Sequence, residues 1–453
     1  MFSSIRSKIQ VFWGVGHERT LLIKKNILYS FFIKGASVLV SFILVPLTIH
    51  YVNQLQYGIW ITISSLVAWM NTFDIGLSNG LRNKMAHSLA LGEKENIKKY
   101  ISTTYASLVL IAFTIFILFF VIGSFFNWNQ LLNIKNSIGF SIWPIILITL
   151  GSFCIQFSLQ PINSILIATH QPFKSSLILF FGQLLTLIII FILTKISTGS
   201  LQALVFVVAG SPLFVYLLAN IYLFSADLKE YVPSFRYIDF SSAKSLLNVG
   251  SAFFFIQMGA LILYETDNIV IAKTLGPQDV TIFNIAFKPF SVLMITFSII
   301  ITPYWSAFTD AYAKRDIKWI KQSIKKMRVL CLYVLIASLL LCISGNIFYK
   351  LWIGNTVIVT YSLSFSLAIL VSVQAWQVIH AYMLNGIGKL KVQLIFIVGT
   401  GILNIPLSVL LVQYIGIPGT VWANVIMLLI MNIAFTYQCN LIIDQKDTGI
   451  WAK

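Results

Sequence analysis

The chain has 453 residues, of which 58% are hydrophobic and only 10% charged, with a mean hydropathy of +0.88. Soluble globules carry about 25% charged residues, so this composition excludes one and makes lipid the solvent. A net charge of +17 would suggest nucleic acid in a soluble protein; here the excess collects at one membrane face, where it meets anionic lipid headgroups, and no nucleic acid is expected.

In chain order, residues 1–25, with Arg6, Lys8, Arg19, Lys24 and Lys25, read as a retained cytoplasmic segment. The apolar stretch that follows is too long for a signal-peptide core of about 7–15 residues. Hydropathy places spans near 26–50, 57–80, 101–123, 138–160, 176–194, 201–225, 248–272, 280–304, 329–349, 358–385, 393–413 and 418–443. Each is about 20 residues or longer, enough for a helix to cross about 30 Å of hydrocarbon. Of the 31 Lys and Arg residues, 25 fall in one set of loops and termini, four (Lys135, Lys195, Lys273 and Lys350) in the other, and two, Lys34 and Lys288, inside spans. By the positive-inside rule the basic face and both termini are cytoplasmic. The loops of the opposite face are short and leave no room for a domain there.

The loop order repeats. A short turn at Asn53-Gln54-Leu55-Gln56-Tyr57-Gly58 precedes span two and a long basic loop; Leu275-Gly276-Pro277-Gln278-Asp279 precedes span eight and another. Six spans per half is an even number, so both halves enter the membrane in the same orientation and are related by an axis along its normal. The expected organisation is all-α: about 12 transmembrane helices in two six-helix lobes around a central cavity. The divisions are an N-terminal segment (1–25), N-lobe (26–225), inter-lobe linker (226–247), C-lobe (248–443) and tail (444–453).

Within 306–328, Lys314, Lys318, Lys321, Lys325 and Arg328 follow one helical stripe and Ile317, Ile320, Ile324 and Met327 another. Such a segment is expected along the leaflet of the basic face, its cations toward lipid phosphates. Ionisable residues inside spans are costly, at least about 2.5–3.5 kcal/mol on insertion scales. Lys34 and Lys288 both fall near mid-membrane, one from each half, and are the candidates for attracting an anionic group such as a pyrophosphate. Lys288 has an alternative, a buried ion pair with Glu265 or Asp267 in span seven. Those two acids are candidates for carrying a coupling ion, a proton or Na+, since a carboxylate in a low-dielectric cavity can titrate during transport. Asp74 and Arg82, at the basic end of span two, are expected to cap or gate that helix. Pro46, Pro212, Pro289, Pro303 and Pro406 interrupt spans and favour kinks. Trp69 and Trp376 lie away from the interfacial aromatic belt and are read as packing or lipid-facing, with sugar stacking the alternative. The four cysteines have no metal-ligand spacing and read as small packing residues; His170 and His380 read as satisfied polar residues.

There is no P-loop, and no metalloprotease or Cys/His motif. The run Phe73-Asp74-Ile75-Gly76-Leu77-Ser78-Asn79-Gly80-Leu81-Arg82-Asn83-Lys84, with Gly92-Glu93-Lys94 after it, resembles the polysaccharide-transport family of bacteria, the O-antigen or Wzx-type flippases of the multidrug/oligosaccharidyl-lipid/polysaccharide exporter superfamily. Tyr57-Gly58-Ile59-Trp60 and Asp267-Asn268-Ile269-Val270-Ile271-Ala272 are similar to that family as well, and the resemblance covers essentially the whole chain. It implies a fold like the multidrug-and-toxin exporters and lipid II flippases. It also implies a non-enzymatic flippase in the bacterial plasma (inner) membrane that carries an undecaprenyl-pyrophosphate-linked oligosaccharide to the outer leaflet by alternating access, beside other polysaccharide-assembly proteins. An ion-coupled multidrug or small-solute exporter of the same fold is the alternative. A membrane glycan polymerase or transferase would need a sizeable loop opposite the basic face, which this chain lacks.

Overall fold

The structure is a computed structural model that describes residues 18–74, 76–134, 141–169, 171–241, 258–259, 261, 265–354 and 356–452. It is built of helices packed side by side, and ten of those described are long and apolar enough to cross a membrane. The two expected spans that do not register as such each have a plain reason. Span two is split into α2 (Gln54–Ala68), a 3₁₀ stretch (Trp69–Asp74) and α3 (Leu77–Leu91), each below the length of a crossing. Much of span seven lies outside the described residues, and its remainder is helical over 265–274.

The N-lobe comprises α1 (Glu18–Val52), α2, α3, α4 (Lys94–Gly123), α5 (Trp143–Leu159), α6 (Pro161–Ala168), α7 (Pro172–Ile196) and α8 (Leu201–Ser225). The C-lobe comprises the seventh span, α9 (Pro277–Ala313), α10 (Ile317–Ile353), α11 (Tyr361–Ile387), α12 (Lys391–Ile415) and α13 (Pro418–Ile443). Packing repeats between the halves. In the first, α1 lies on α7, α4 on α5, and α8 on both α5 and α7; in the second, α10 lies on α11 and α13 on both α11 and α12. Gly259 of the seventh span lies against Ile397 of α12, as α1 lies against α7. The parallel six-helix repeat read from loop order is therefore present in three dimensions.

Three details depart from the hydropathy reading. The α9 and α10 helices have 37 residues each, about 55 Å at 1.5 Å per residue, so they continue well past the hydrocarbon and form a hairpin that turns at Arg315, where φ is 57°. The basic amphipathic segment does not lie on the leaflet as a separate helix; it is the first third of α10. Its apolar stripe, Ile320, Ile324 and Met327, is buried in the C-lobe core, and Trp319 packs against Tyr304 and Phe308 of α9. An apolar stripe has the same period whether lipid or protein covers it, and here protein does. Lastly, the linker after α8 is laced to the basic end of α4: Lys94 pairs with Glu230 at 2.8 Å and Lys99 with Asp239 at 2.6 Å, while Ser102 and Thr103 hydroxyls accept from the backbone of Ser234 and Asp239.

The lobes meet along α2 and α9. At the face opposite the basic one this seam is tight: Thr281 donates to the Gln54 carbonyl at 2.6 Å, and Gln54 donates to the carbonyl of Gln278. Gly58 is required here, because a Cβ at that position would sit 1.7 Å from the Pro277 carbonyl oxygen. Nearby, Trp352 of α10 donates to the Phe42 carbonyl of α1, and Val45 and Ile49 of α1 join the C-lobe core. These hydrogen bonds between the lobes lie from mid-membrane toward this face; on the basic side α1 presents Phe31, Phe32 and Lys34 as exposed residues.

Candidate functional site

Where the seam ends, near mid-membrane, the lobes enclose a cavity of about 370 Å³. The N-lobe contributes Ile61, Ser64 and Ser65 from α2. The C-lobe contributes Glu265, Asp267 and Asn268 from span seven, Phe283, Asn284 and Phe287 from α9, Leu370 and Gln374 from α11, and Asn424 from α13. Helix geometry accounts for the clustering: Ser64 and Ser65 lie one turn or so from Ile61, and Phe283, Asn284 and Phe287 share one face of α9.

The polar side chains form two chains of hydrogen bonds. In the first, Asn284 Nδ2 donates to Asn268 Oδ1 at 2.6 Å, and Asn268 Nδ2 donates across the seam to Ser65 Oγ at 2.7 Å. The Ser65 hydroxyl is then free to donate, and Glu265 lies beside it on the cavity wall. In the second, Asn404 Nδ2 donates to Asn424 Oδ1 at 2.7 Å and Asn424 Nδ2 donates to Asp267 Oδ2 at 2.7 Å. Asp267 is 3% exposed and Asn424 1%, yet Asp267 Oδ1 has no hydrogen-bond partner among the described residues. An unsatisfied carboxylate oxygen on the wall of a cavity is an acceptor waiting for a proton or a cation, since leaving it bare costs the desolvation of a charge. Two carboxylates with amide oxygens beside them supply the all-oxygen donor set that hard cations take. No group of three or more metal-ligating side chains occurs among the described residues.

The residues singled out from the sequence do not form one cluster. Glu265, half-buried, and Asp267 line the cavity. Lys288 is half-buried on α9, one turn beyond Asn284 toward the basic face, and forms no ion pair with Glu265, Asp267 or any other described residue. Lys34 is exposed on α1, nearer the basic face and outside the lining of this cavity. The lining is therefore acidic and amidic where it was expected to be cationic. Asp74 caps α3: Ser78 donates to it through its backbone N–H at 3.1 Å and its hydroxyl at 3.1 Å. The turn before that helix is closed by Gly76, whose φ of 83° suits glycine. Arg82, on the same helix, is exposed. Trp376 is half-buried on the C-lobe, its indole donating to Thr436, and His380 is fully buried with both ring nitrogens engaged. His170 lies outside the described residues. All four cysteines are buried and unpaired.

Missed by the sequence reading were the amides: Asn268, Asn284, Gln374, Asn404 and Asn424. The signal was available, because an amide inside an apolar span carries the same kind of penalty as a charge and also demands a partner.

The fold is that of the MATE transporters. A MATE-family multidrug-resistance transporter of the MOP superfamily, solved in an inward-facing conformation, superposes with a TM-score of 0.70 at 16% identity over 98% of both chains. No family model matches the sequence. Among curated proteins, the chain is 22% identical over 374 residues to a Salmonella typhi protein named "Putative O-antigen transporter", covering 78% of this chain and 81% of that one. It is 23% identical over 376 residues, with the same coverage, to a Yersinia pseudotuberculosis protein named "Putative O-antigen export protein". These relatives and structural neighbours are named as transporters, and this chain is a multi-pass membrane protein that shares the fold of the solved ones.

Proposed function

We propose that the chain is a flippase that moves an undecaprenyl-pyrophosphate-linked oligosaccharide, an O-antigen or other surface-polysaccharide repeat unit, from the inner to the outer leaflet of the bacterial plasma membrane by alternating access. The observation that carries this reading is the one-sided seam: two lobes joined from mid-membrane to one face, with a polar cavity where the joint ends. A lipid-linked sugar places opposing demands on its carrier, because pyrophosphate and glycan need polar surroundings while the tail needs hydrocarbon. Two lobes that part on one side meet both demands, sheltering the head between them and leaving the tail in the bilayer. The names of the curated relatives supply the substrate class.

In this reading both termini and the basic face are cytoplasmic, and the conformation is the one that receives substrate from the cytoplasmic leaflet. Lys34 and Lys288 attract the anionic head on the open side, each without an ion-pair partner among the described residues. Glu265 and Asp267 hold the coupling proton or Na+. Asp74 and Arg82 set the direction of α3 and act at the gate on the basic side. Anionic membrane lipids and polysaccharide-assembly proteins are the expected partners. Depletion of the protein in cells should leave lipid-linked oligosaccharide trapped on the cytoplasmic leaflet and remove the surface glycan; a normal surface glycan after depletion would refute the flippase.

A second reading, an ion-coupled multidrug or small-solute exporter, is favoured by one observation: the charges lining the described cavity are carboxylates, which suit a cation. Efflux of cationic dyes by the purified protein, with no effect of depletion on surface glycan, would decide for it.

A further inference from the structure

On the side of α11 turned away from the inter-lobe cavity, α10, α11 and α13 enclose a groove of about 710 Å³. The two sites take different faces of the same helix: Ile369 and Trp376 of α11 line the groove, Leu370 and Gln374 the cavity. The groove is open along its rim, where Ile433 is 73% exposed, so in a membrane it faces lipid.

Its walls are mostly apolar, but α11 contributes Ser372 and α13 presents Asn432, Thr436 and Asn440 at four-residue intervals, on a single stripe that runs from mid-membrane toward the basic face. Trp376 Nε1 donates to Thr436 Oγ1 at 3.0 Å, and Asn432 Nδ2 donates to the Val373 carbonyl at 2.9 Å. Asn432 Oδ1, on a residue only 6% exposed, has no hydrogen-bond partner. Beside the groove, the Arg328 guanidinium lies over the ring of the lining residue Trp376, 5.1 Å from its centroid, and reaches His380 Nε2 at 3.2 Å. His380 Nδ1 is 2.8 Å from the Trp376 carbonyl and donates to it, so Nε2 accepts from Arg328 and the ring is neutral. Arg328 Nε is buried and has no acceptor.

A guanidinium cannot shed its proton in a protein, and no carboxylate pairs with Arg328 among the described residues. A half-buried cation without an anion, one aromatic ring away from a lipid-facing groove, is costly as it stands. So is a polar stripe set against hydrocarbon. An alkyl chain by itself relieves neither. One class of molecule fits the sequence of surfaces: a phosphate for Arg328, ester and hydroxyl groups beside the polar stripe, and an acyl chain against the apolar wall.

We propose that this groove is a resident site for an anionic glycerophospholipid of the leaflet at the basic face, anchored through its phosphate by Arg328. A polyprenyl phosphate offers the phosphate and the chain but nothing for the stripe beneath it. The site faces away from the cavity, so the proposal stands or falls independently of the flippase reading.

The full-length protein, purified in detergent, is passed over a sizing column after incubation with phosphatidylglycerol, phosphatidylcholine, undecaprenyl phosphate or inorganic phosphate. Retained lipid and the thermal unfolding midpoint are then measured. Phosphatidylglycerol is expected to be retained at about one molecule per chain and to raise the midpoint, as a ligand of the native state must; the other three are expected to do neither. Arg328→Gln should lower retention about tenfold or more, through loss of a charge-assisted contact to the phosphate. Ile433→Trp fills the open rim at a position on which folding does not depend, and should lower retention without touching the cation. Equal retention by the wild type and both variants overturns the proposal. So does an equal response to phosphatidylcholine or inorganic phosphate, tighter retention of undecaprenyl phosphate than of phosphatidylglycerol, or a lipid-free dimer that Ile433→Trp dissociates.

Discussion

The two lobes share a plan of helices but not a chemistry. The turn before α2 at Asn53 and the turn before α9 at Gly276 are 223 residues apart, and at that offset Asp267, Asn268 and Asn284 correspond to Leu44, Val45 and Ile61. In the last spans, where α8 and α13 begin 217 residues apart, Asn404 and Asn424 correspond to Leu187 and Val207. Every member of the buried polar chains in the C-lobe thus has an apolar counterpart in the N-lobe. The N-lobe differs in another way: its second span is broken at Trp69–Gly76 and restarts on an Asp74 cap, whereas the C-lobe equivalent, α9, runs unbroken for 37 residues. Duplicated scaffolds keep what packing requires and diverge where something else is asked of them. The C-lobe holds the buried charge, and the N-lobe holds the bend.

This division can be broken by experiment, beginning at the seam on which both halves depend. Gly58→Leu should abolish transport, because its side chain would occupy the place of the Pro277 carbonyl and hold the lobes apart; cysteine accessibility from the face opposite the basic one should rise. Next comes the C-lobe charge. Asp267→Asn should lower the transport rate at least about tenfold while leaving insertion intact, a loss of about 1.4 kcal/mol or more of coupling. An unchanged rate would mean that the acidic network is structural. Lys34→Met tests whether the exposed side of the N-lobe carries the anion attraction, with an expected rise in half-saturating substrate and a smaller drop in maximal rate. The bend itself is tested by Asp74→Ala, which should cost about 1 kcal/mol of stability through loss of the cap, read as a lower unfolding midpoint. Smallest of all should be Lys94→Ala. Lys94 holds the Glu230 carboxyl below the ordinary carboxylate range through a hydrogen bond and charge attraction, so any stabilisation is present above that range and fades as pH falls through the lowered value. Both partners are exposed, and the midpoint at neutral pH should barely move.

Much of this architecture was legible beforehand. Hydropathy and even span number gave the membrane-spanning helices and the parallel repeat, because both are set by the bilayer rather than by packing detail. The break at Trp69–Gly76 was not legible: hydropathy averages over about 20 residues, and a 3₁₀ turn amid apolar residues leaves that average intact. Helix ends were missed for the same reason in α9 and α10, which continue past the membrane as an amphipathic hairpin. Glu265 and Asp267 were identified because a charge in a span stands out. Their amide partners were overlooked because Asn is common enough to pass unnoticed, and only the fold brings Asn404 and Asn424 beside Asp267. Sequence distance also hid the meeting of Arg328, Trp376 and His380, which come from two helices with no shared motif.

The lacing of the linker to α4 sets how the halves can move. Because the chain from Ala226 to Asp239 is fastened beneath the N-lobe by Lys94, Lys99, Ser102 and Thr103, the tether between the halves is shorter than its sequence. The fastening reaches as far as Asp239. Tilting of one half against the other then pivots close to that anchorage, and cutting these four fastenings would lengthen the leash without altering either bundle.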